Sequence, residues 1–222
     1  MAKLRFLGHS CFLLSDEGGS VLIDPFLDGN PKAAVGPDDV NPQVILVTHA
    51  HGDHLGDTVR IAKRTGALCI STNEIAVDLQ GKGLNTHPMH LGGTKNLEFG
   101  SVRVTPAFHG SGIAGGHACG FVVNLRGKRI YHAGDTCLFG DMKLIGERDP
   151  LDVALLPIGG NFTMDAEDAV RATGLLGARC VVPMHYGTFP PIETDPESFR
   201  RQVEQVLGIS CRVLAPGQEM EI

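Results

Sequence analysis

The residues best suited to chemistry lie in one short segment, VTHAHGDHLGD, at positions 47–57. The segment begins inside an apolar run, VILV at 44–47, that is typical of a buried strand. Imidazole and carboxylate groups are common protein ligands of zinc and other transition metals. The candidate metal ligands in this segment are His49, His51, Asp53 and His54.

The spacing of these ligands indicates two binding positions rather than one. Alternate side chains of an extended chain point the same way, so His49 and His51 can bind the same ion. Gly52 then lets the chain turn, which directs Asp53 and His54 to a second position at the start of a helix. Helical motifs of the form H-E-x-x-H instead place their histidines four residues apart. Two-metal chemistry nevertheless needs more ligands than this segment contains.

Four other apolar runs also end in a residue that can bind a metal. Strand ends converge on a common rim when sheets are flanked by helices, so ligands that are distant in sequence can meet there. We expect their number to suit two ions about 3.5–4 Å apart, with Asp135 as the bridging carboxylate. The runs are VLID, VRVTPAFH, RIYHAGD and CVVPMH, and their last residues are Asp24, His109, Asp135 and His185.

The sequence leaves several neighbouring roles open. Pro25 suggests a rigid turn at Asp24, whose carboxylate we expect to orient the histidine segment, with direct metal ligation as the alternative. His9, in LGHSC, fits three roles equally well. It can be a core residue, a residue that supports a metal ligand, or an acid that contacts the substrate. Tyr186 is a weaker candidate for contact with the substrate or its leaving group. We interpret His132 as a structural residue.

The elements that position these residues are short strands separated by glycine, proline and aspartate turns, with helices mainly after residue 55. The predicted strands are KLRFLG, CFLLS, SVLID, VILV, ALCIS, a hairpin in LEFGSVRVTPAFH around Gly100, ACGFVVNL, KRIYHAG, DVALLPI, CVVPM and SCRVLA. Two hairpins, CFLLSDEGGSVLIDP and CGFVVNLRGKRIYHAGDT, resemble each other and each ends near an aspartate. A duplicated β-sandwich flanked by helices would show such an internal similarity.

Five helices are predicted from periodicity and capping. They cover about 55–65, about 73–81, DMKLIGER, a segment capped by Thr163 that ends near Gly177, and a segment that Asp195-Pro196 opens and Gly208 ends. In the last of these, the predicted apolar face consists of Phe199, Val203, Val206 and Leu207.

Composition limits the kinds of partner. The chain has 222 residues and a net charge of −6, and no run of lysine and arginine is longer than a pair, so we do not expect a nucleic-acid partner. We expect one domain over residues 1–222, without a signal peptide or membrane segment, and therefore a soluble cytoplasmic protein. A small-molecule substrate is expected, and a homo-oligomer is compatible with the sequence. The six cysteines are far apart and are interpreted as free thiols.

The segment THAHGDH at 48–54 resembles the T-H-x-H-x-D-H signature of the metallo-β-lactamase superfamily. Asp24, His109, Asp135 and His185 resemble the first, third, fourth and fifth motifs of that superfamily, in order and across nearly the whole chain. The resemblance implies an α/β fold, a four-layer αββα sandwich, with two divalent ions, most commonly zinc, with manganese or iron as alternatives. It further implies that one ion is held by His49, His51 and His109, the other by Asp53, His54 and His185, and that Asp135 bridges them.

Within the superfamily, the segments GHS, YHAGDT, LLPIGGNFTM and PMHYGTFP resemble small metal-dependent hydrolases related to ascorbate-6-phosphate lactonase. True β-lactamases are usually exported, and most lack a histidine after the motif aspartate, whereas His54 follows Asp53 here. Glyoxalase II adds a helical domain, and the RNA-processing members add a substrate-gripping arm or an inserted domain. We expect none of these additions in this compact acidic chain.

The sequence therefore predicts a hydrolase in which a hydroxide bridging two metals attacks a carbonyl or phosphoryl centre. Metal coordination can lower the pKa of water from about 15.7 to about 7, which provides a nucleophile at neutral pH. Asp53 is the best candidate to orient that water or accept a proton, in addition to binding metal. A lactone, a small ester or a phosphoester fits as the substrate. The alternatives are a di-iron oxidoreductase with the same ligands and a metal-bound metabolite sensor without turnover.

Overall fold

Two seven-stranded sheets form the centre of the molecule in this computed structural model, which describes residues 1–222. The first sheet consists of β1 (Lys3–Gly8), β2 (Cys11–Ser15), β3 (Ser20–Ile23), β4 (Val44–Leu46), β5 (Leu68–Thr72), β6 (Thr86–Met89) and, from the end of the chain, β14 (Glu219–Glu221). The second consists of β7 (Thr94–Leu97), β8 (Gly100–Pro106), β9 (Cys119–Leu125), β10 (Lys128–His132), β11 (Val153–Pro157), β12 (Cys180–Met184) and β13 (Ser210–Cys211).

Both sheets have the same succession of antiparallel and parallel strand pairs. Their spatial orders are β14-β1-β2-β3-β4-β5-β6 and β7-β8-β9-β10-β11-β12-β13. In the first, the antiparallel β2–β3 hairpin leads into the parallel strands β4, β5 and β6. In the second, the β9–β10 hairpin leads into the parallel strands β11, β12 and β13. The two hairpins that resemble each other in sequence therefore occupy equivalent places, as a duplicated sandwich predicts.

Helices cover the outer face of each sheet. They are α1 (Gly52–Leu55), α2 (Thr58–Thr65), α3 (Asn73–Gly81), α4 (Met142–Arg148), α5 (Ala166–Leu176) and α6 (Pro196–Gln202), with a π-helical turn at Val203–Leu207 and a 3₁₀ turn at Pro190–Ile192. Helices α2 and α3 bury Ile61 and Leu79 in a cluster of 14 residues with the first sheet. Helices α4, α5 and α6 contribute to a cluster of 42 residues that includes both sheets. The predicted αββα architecture is confirmed.

Alternation along the strands explains why the first sheet is buried on both faces. In β3, Val21 and Ile23 belong to the larger cluster, whereas Leu22 between them belongs to the smaller one. Successive side chains of a strand point to opposite faces, so one strand serves both the space between the sheets and the layer under the helices. Strand β14 pairs with β1, with Met220 opposite Leu4, so the first and last strands lie side by side. A single domain over residues 1–222 stays a prediction.

The predicted helix at 55–65 is wrong in its start and its continuity. The structure has two helices instead, α1 and α2, and Gly56 separates them with a φ of +40°. A Cβ atom at Gly56 would lie 2.3 Å from the carbonyl oxygen of Pro25, so the close approach of this backbone requires glycine. The predicted cap Thr163 is also wrong, because Asp165 caps α5 by accepting a hydrogen bond from the Asp168 N–H.

The C-terminal segment differs from its predicted pattern. Phe199 and Val203 are buried as predicted, but Val206 is 71% exposed. The π-helical turn explains this, because one extra residue in the turn rotates the following side chains away from the predicted face. The closing strand is only two residues long, and β6 and β14 were not predicted. No helix of the structure is long and apolar enough to cross a membrane.

Candidate metal centre

The predicted metal ligands converge at one edge of the sandwich. They follow the carboxyl ends of strands or lie in the helix after β4: His49 and His51 come after β4, Asp53 and His54 lie in α1, His109 follows β8, Asp135 follows β10, and His185 follows β12. Parallel neighbours in a sheet end at the same edge, which explains how ligands so far apart in sequence can meet. The arrangement confirms that strand ends bring these residues together.

The first group of ligand atoms belongs to His49, His51 and His109. One nitrogen from each ring lies within 4.8 Å of the others. The ring centroids are 4.7 Å apart for His49 and His51, 4.9 Å for His49 and His109, and 5.1 Å for His51 and His109. The rings are nearly perpendicular to one another, so their nitrogens can point at a common centre. These three residues could hold one ion.

The second group consists of Asp53, His54, His185 and His9, whose ligand atoms also lie within 4.8 Å of one another. Asp53 Oδ2 is 3.8 Å from His185 Nε2 and 3.9 Å from His54 Nε2. The two histidine rings are stacked, with centroids 5.6 Å apart. This group could hold a second ion.

Asp135 lies between the two groups. Its Oδ2 is 3.1 Å from His185 Nε2 and 3.5 Å from His109 Nε2, and its Oδ1 is 3.2 Å from His54 Nε2. The carboxylate is only 2% exposed, so solvent does not satisfy its oxygens. One carboxylate thus faces histidines of both groups, which is the geometry that a bridging ligand needs.

Asp24 fixes the orientation of two histidines without lining the cavity. Its Oδ2 accepts hydrogen bonds from His54 Nδ1 at 2.7 Å and from the Thr48 hydroxyl at 2.7 Å, and its Oδ1 accepts one from the Thr48 N–H. Because the Thr48 hydroxyl proton points to Asp24, its oxygen can accept a hydrogen bond from His49 Nδ1 at 3.0 Å. Both histidines are thereby left with Nε2 directed into the site, as metal-bound imidazoles require.

Unpartnered polar atoms at this edge support a fit to metal ions. The buried atoms without a hydrogen-bond partner include His49 Nε2, His54 Nε2, Asp135 Oδ1 and both ring nitrogens of His185. Buried polar groups are rarely left without a partner, so this concentration needs an explanation. Imidazole nitrogens and carboxylate oxygens suit zinc, and they also suit manganese and iron. The residues present therefore fit a pair of divalent ions.

The electrostatics of the site favour a positive charge between its carboxylates. Burial lowers the pKa of His49 to about 2, which keeps this imidazole in the neutral, ligating form. Burial also lowers the pKa of His54, but Asp135 and Asp24 outweigh it and hold that pKa well above its usual value. Burial opposes ionisation of Asp135, yet His54 and His185 keep its pKa well below the usual range. A cation bound here would replace the proton that the buried carboxylates otherwise attract.

His9 connects Asp53 to a second hydrogen-bonding partner. Its Nε2 is 3.2 Å from Asp53 Oδ2 and its Nδ1 is 2.9 Å from the Thr188 hydroxyl, while its ring is 4.2 Å from that of His185. Burial lowers the pKa of His9 to about 4, so the ring is neutral at neutral pH. A neutral ring satisfies both contacts when Nε2–H donates to Asp53 and Nδ1 accepts from Thr188. Of the roles that the sequence left open for His9, support of a ligand matches this geometry.

Tyr186 does not line the metal cavity. It lines a neighbouring cavity of about 260 Å³ together with His9 and Lys32. Burial raises the pKa of Tyr186 to about 12, so its hydroxyl stays protonated. His132 is fully buried, with Nε2 donating to the Ser10 carbonyl and Nδ1 accepting from the Gly134 N–H, and is structural.

The mouth of the site is a cavity of about 230 Å³. It is lined by His51, Asp53, His109, Asp135, His185 and Phe162. Sequence reasoning missed Phe162, which lies in the motif LLPIGGNFTM. A large apolar residue in a turn rich in glycine and polar residues was the available signal, because such turns seldom need a phenyl ring for packing.

The sequence and the fold both match known proteins. Residues 3–185 match the β-lactamase superfamily domain. A UPF0173 metal-dependent hydrolase of Natranaerobius thermophilus is 54% identical over 99% of both chains, and one of Carboxydothermus hydrogenoformans is 48% identical over 97% of this chain and 98% of the relative. The fold is similar to that of Igni18, a metallo hydrolase from the archaeon Ignicoccus hospitalis, with a TM-score of 0.94 and 41% identity over 100% of this chain and 99% of that chain. The chain therefore belongs to the metallo-β-lactamase superfamily and, within it, to the UPF0173 family of metal-dependent hydrolases.

Proposed function

We propose that this protein is a dinuclear metal-dependent hydrolase of small molecules. The observation that carries the proposal is the position of Asp135, whose carboxylate faces histidines of two separate groups of ligands. In the proposed assignment, one ion is held by His49, His51 and His109, the other by Asp53, His54 and His185, and Asp135 contributes to both. Zinc is the proposed metal, with manganese or iron as alternatives.

Bound divalent ions supply an activated water and stabilise the negative charge that develops on the substrate. The water oxygen forms a bond to the carbonyl carbon or phosphorus, the bond to the leaving oxygen breaks, and that oxygen takes up a proton. Asp53, whose side chain is 29% exposed and lines the mouth, is placed to orient the water and to pass on its proton. His9 holds the Asp53 carboxylate in this position.

The proposed substrates are a lactone, a small ester or a phosphoester. A cavity of about 230 Å³ suits a small molecule rather than a polymer. The family name of the close relatives supports hydrolysis, and the motif resemblance to relatives of ascorbate-6-phosphate lactonase favours a lactone.

Metal content and turnover test the proposal together. We expect purified protein to contain two equivalents of a divalent metal by elemental analysis and to hydrolyse at least one member of a panel of lactones, esters and phosphoesters. His51→Ala and Asp135→Ala should each lower kcat/KM by more than about 100-fold, because loss of a group that merely supports a ligand already costs about 10–100-fold. His87→Ala, a histidine in β6 outside the site, should match the wild type.

Three outcomes would contradict the proposal. Equal turnover by the wild type and by His51→Ala would exclude the site from hydrolysis. Two equivalents of iron with an optical spectrum and no hydrolysis would favour the di-iron oxidoreductase. A fully loaded protein that binds a metabolite tightly without turnover would favour the sensor.

A further inference from the structure

We propose that the site takes a neutral ester or lactone whose apolar group packs against Phe162, rather than a phosphoester or another anionic substrate. This inference rests on the proposed hydrolytic function and specifies its substrate class.

The lining of the mouth contains no positively charged side chain. Five of its six residues are the proposed ligands His51, Asp53, His109, Asp135 and His185, and the sixth is Phe162. Phosphate and carboxylate groups are usually recognised by arginine, lysine or several converging N–H groups. Apart from the metals, the mouth therefore offers a substrate one apolar surface and no group that would select an anionic tail.

Lys32 lines a neighbouring cavity and not the mouth. Lys32 lies with Tyr186 and Glu193 in the neighbouring cavity of about 260 Å³, which the buried His9 ring also lines. His9 is 1% exposed and bonded to Asp53, so its ring separates that cavity from the mouth. An anionic group on a substrate bound at the mouth would thus lack contact with Lys32.

Phe162 is exposed although the turn around it is fixed. The side chain is 56% exposed, an unusual fraction for a phenyl ring. The turn is closed by the Gly160 N–H, which donates to the Met164 carbonyl, and by the Met164 N–H, which donates to the Thr136 carbonyl. Thr136 follows Asp135, so the turn is anchored directly beside the proposed bridging carboxylate. The exposed ring is therefore held over the site by the backbone.

A second aromatic segment is anchored at the same threonine. The Phe108 N–H donates to the Thr136 hydroxyl oxygen, and the hydroxyl in turn donates to the Cys137 carbonyl. Phe108 is 61% exposed, precedes the ligand His109, and packs edge-on against Phe139 with ring centroids 5.1 Å apart. Phe108 and Phe162 are the two exposed phenylalanines of the chain, and both are fixed beside the metal centre. A substrate at the mouth would contact Phe162, which lines it, while Phe108 is held by the same threonine beside the proposed ligand His109.

The test uses metal-loaded enzyme and two sets of substrates, one that varies the apolar group and one that changes the electrophile and adds a negative charge. The p-nitrophenyl esters of acetate, butyrate and hexanoate vary the apolar group, and p-nitrophenyl phosphate and bis(p-nitrophenyl) phosphate vary the electrophile. For the wild type, we expect kcat/KM to rise by about two- to fourfold per methylene, as burial of each methylene allows, and to be lowest for the phosphate compounds. Phe162→Ala should abolish most of this dependence on chain length by raising KM for the long esters.

Matched variants separate the aromatic surface from general damage. Phe162→Leu should keep most of the dependence on chain length, because it keeps an apolar side chain. Val206→Ala, which removes a similarly exposed apolar side chain from the π-helical turn, should behave like the wild type. Binding of hexanamide, a neutral compound that is not turned over on this timescale, is measured by titration calorimetry, and Phe162→Ala should weaken it by about tenfold.

The outcomes distinguish this inference from the proposed function. Faster turnover of a phosphate compound than of the hexanoate ester by the wild type would overturn the inference but leave hydrolysis intact. An unchanged dependence on chain length in Phe162→Ala would do the same. If no compound is turned over, the proposed function fails, and the hexanamide titration alone decides the inference: equal affinity in the wild type and in Phe162→Ala overturns it.

Discussion

Left-handed backbone conformations are concentrated at the proposed metal centre. Four non-glycine residues have a positive φ, and three of them, His9, Asp24 and His185, lie at the site with φ values of 58°, 47° and 55°. The His185 N–H donates to the His9 carbonyl, which ties two of them together. Each such conformation costs on the order of 1–3 kcal/mol and persists only where its surroundings enforce it. The left-handed conformations therefore lower the free energy of unfolding, and in return they orient these three side chains.

The contact between His9 and Asp53 leads to a prediction about metal affinity. In His9→Asn the shorter side chain cannot reach Asp53, but asparagine tolerates the left-handed conformation better than most residues do. We expect this variant to remain folded and to bind its more weakly held metal about 10–100-fold less tightly, because Asp53 loses the group that orients it. Competition with a chromophoric chelator measures the affinity.

His90→Asn is the matched control, since His90 is exposed and distant from the ligands in sequence. It should bind both metals like the wild type. Unchanged affinity for both metals in His9→Asn would show that His9 does not support Asp53, and the roles in the core and in substrate contact would then remain.

The break between helices α1 and α2 sets the position of two of the proposed ligands. Helix α1 has only four residues and carries Asp53 and His54. Directly after the break, the Asp57 carboxylate accepts hydrogen bonds from the Leu27 and Asp28 N–H groups. The backbone N–H of Asp57 donates to the Pro25 carbonyl. These bonds fasten α1 to the loop that follows Asp24. A continuous helix through this segment would carry Asp53 and His54 away from that loop.

Gly56→Ala should therefore lower both stability and metal binding. The added Cβ atom would lie 2.3 Å from the Pro25 carbonyl oxygen, and alanine disfavours a φ of +40°. We expect the free energy of unfolding in urea to fall by about 1–3 kcal/mol. Gly140→Ala, where an added Cβ atom meets nothing within 4 Å, should change it by less than about 0.5 kcal/mol. An unchanged urea midpoint for Gly56→Ala would mean that the loop at Pro25 moves aside at little cost in free energy.

The predictable parts of the fold are those that local pattern decides. Apolar strands that end in aspartate or histidine located the site, because strand direction in a sheet with crossovers fixes where the ends meet. Strand β6 was not predicted because THPM contains a proline and no apolar alternation, and an edge strand tolerates both. The exposure of Val206 depends on a π-helical turn, and the importance of Phe162 depends on the anchor at Thr136. Tertiary contacts decide both, and the one-dimensional pattern does not contain them.

Stability and function are divided between the core of the molecule and the edge that carries the proposed ligands. The apolar core consists of two clusters of 42 and 14 buried residues, on both faces of the first sheet and around the second. The buried polar atoms without partners are, by contrast, concentrated at the metal edge, where five of the eleven belong to His49, His54, Asp135 and His185. The apolar core is large enough to fold without metal. The polar edge is the part that a bound cation would stabilise.

Metal removal should consequently lower the melting temperature without unfolding the chain. A ligand present at 100 times its Kd stabilises the folded state by about 2.7 kcal/mol, and a domain of this size shifts by about 2–4 °C per kcal/mol. We therefore expect chelation to lower Tm by about 5–10 °C for each emptied site, with the far-UV circular dichroism spectrum unchanged at 25 °C. In Asp135→Ala, which lacks the carboxylate shared by both groups, chelation should shift Tm by a small fraction of that amount. Complete loss of the spectrum on chelation would instead assign the metals a structural role, because the sandwich would then depend on them to fold.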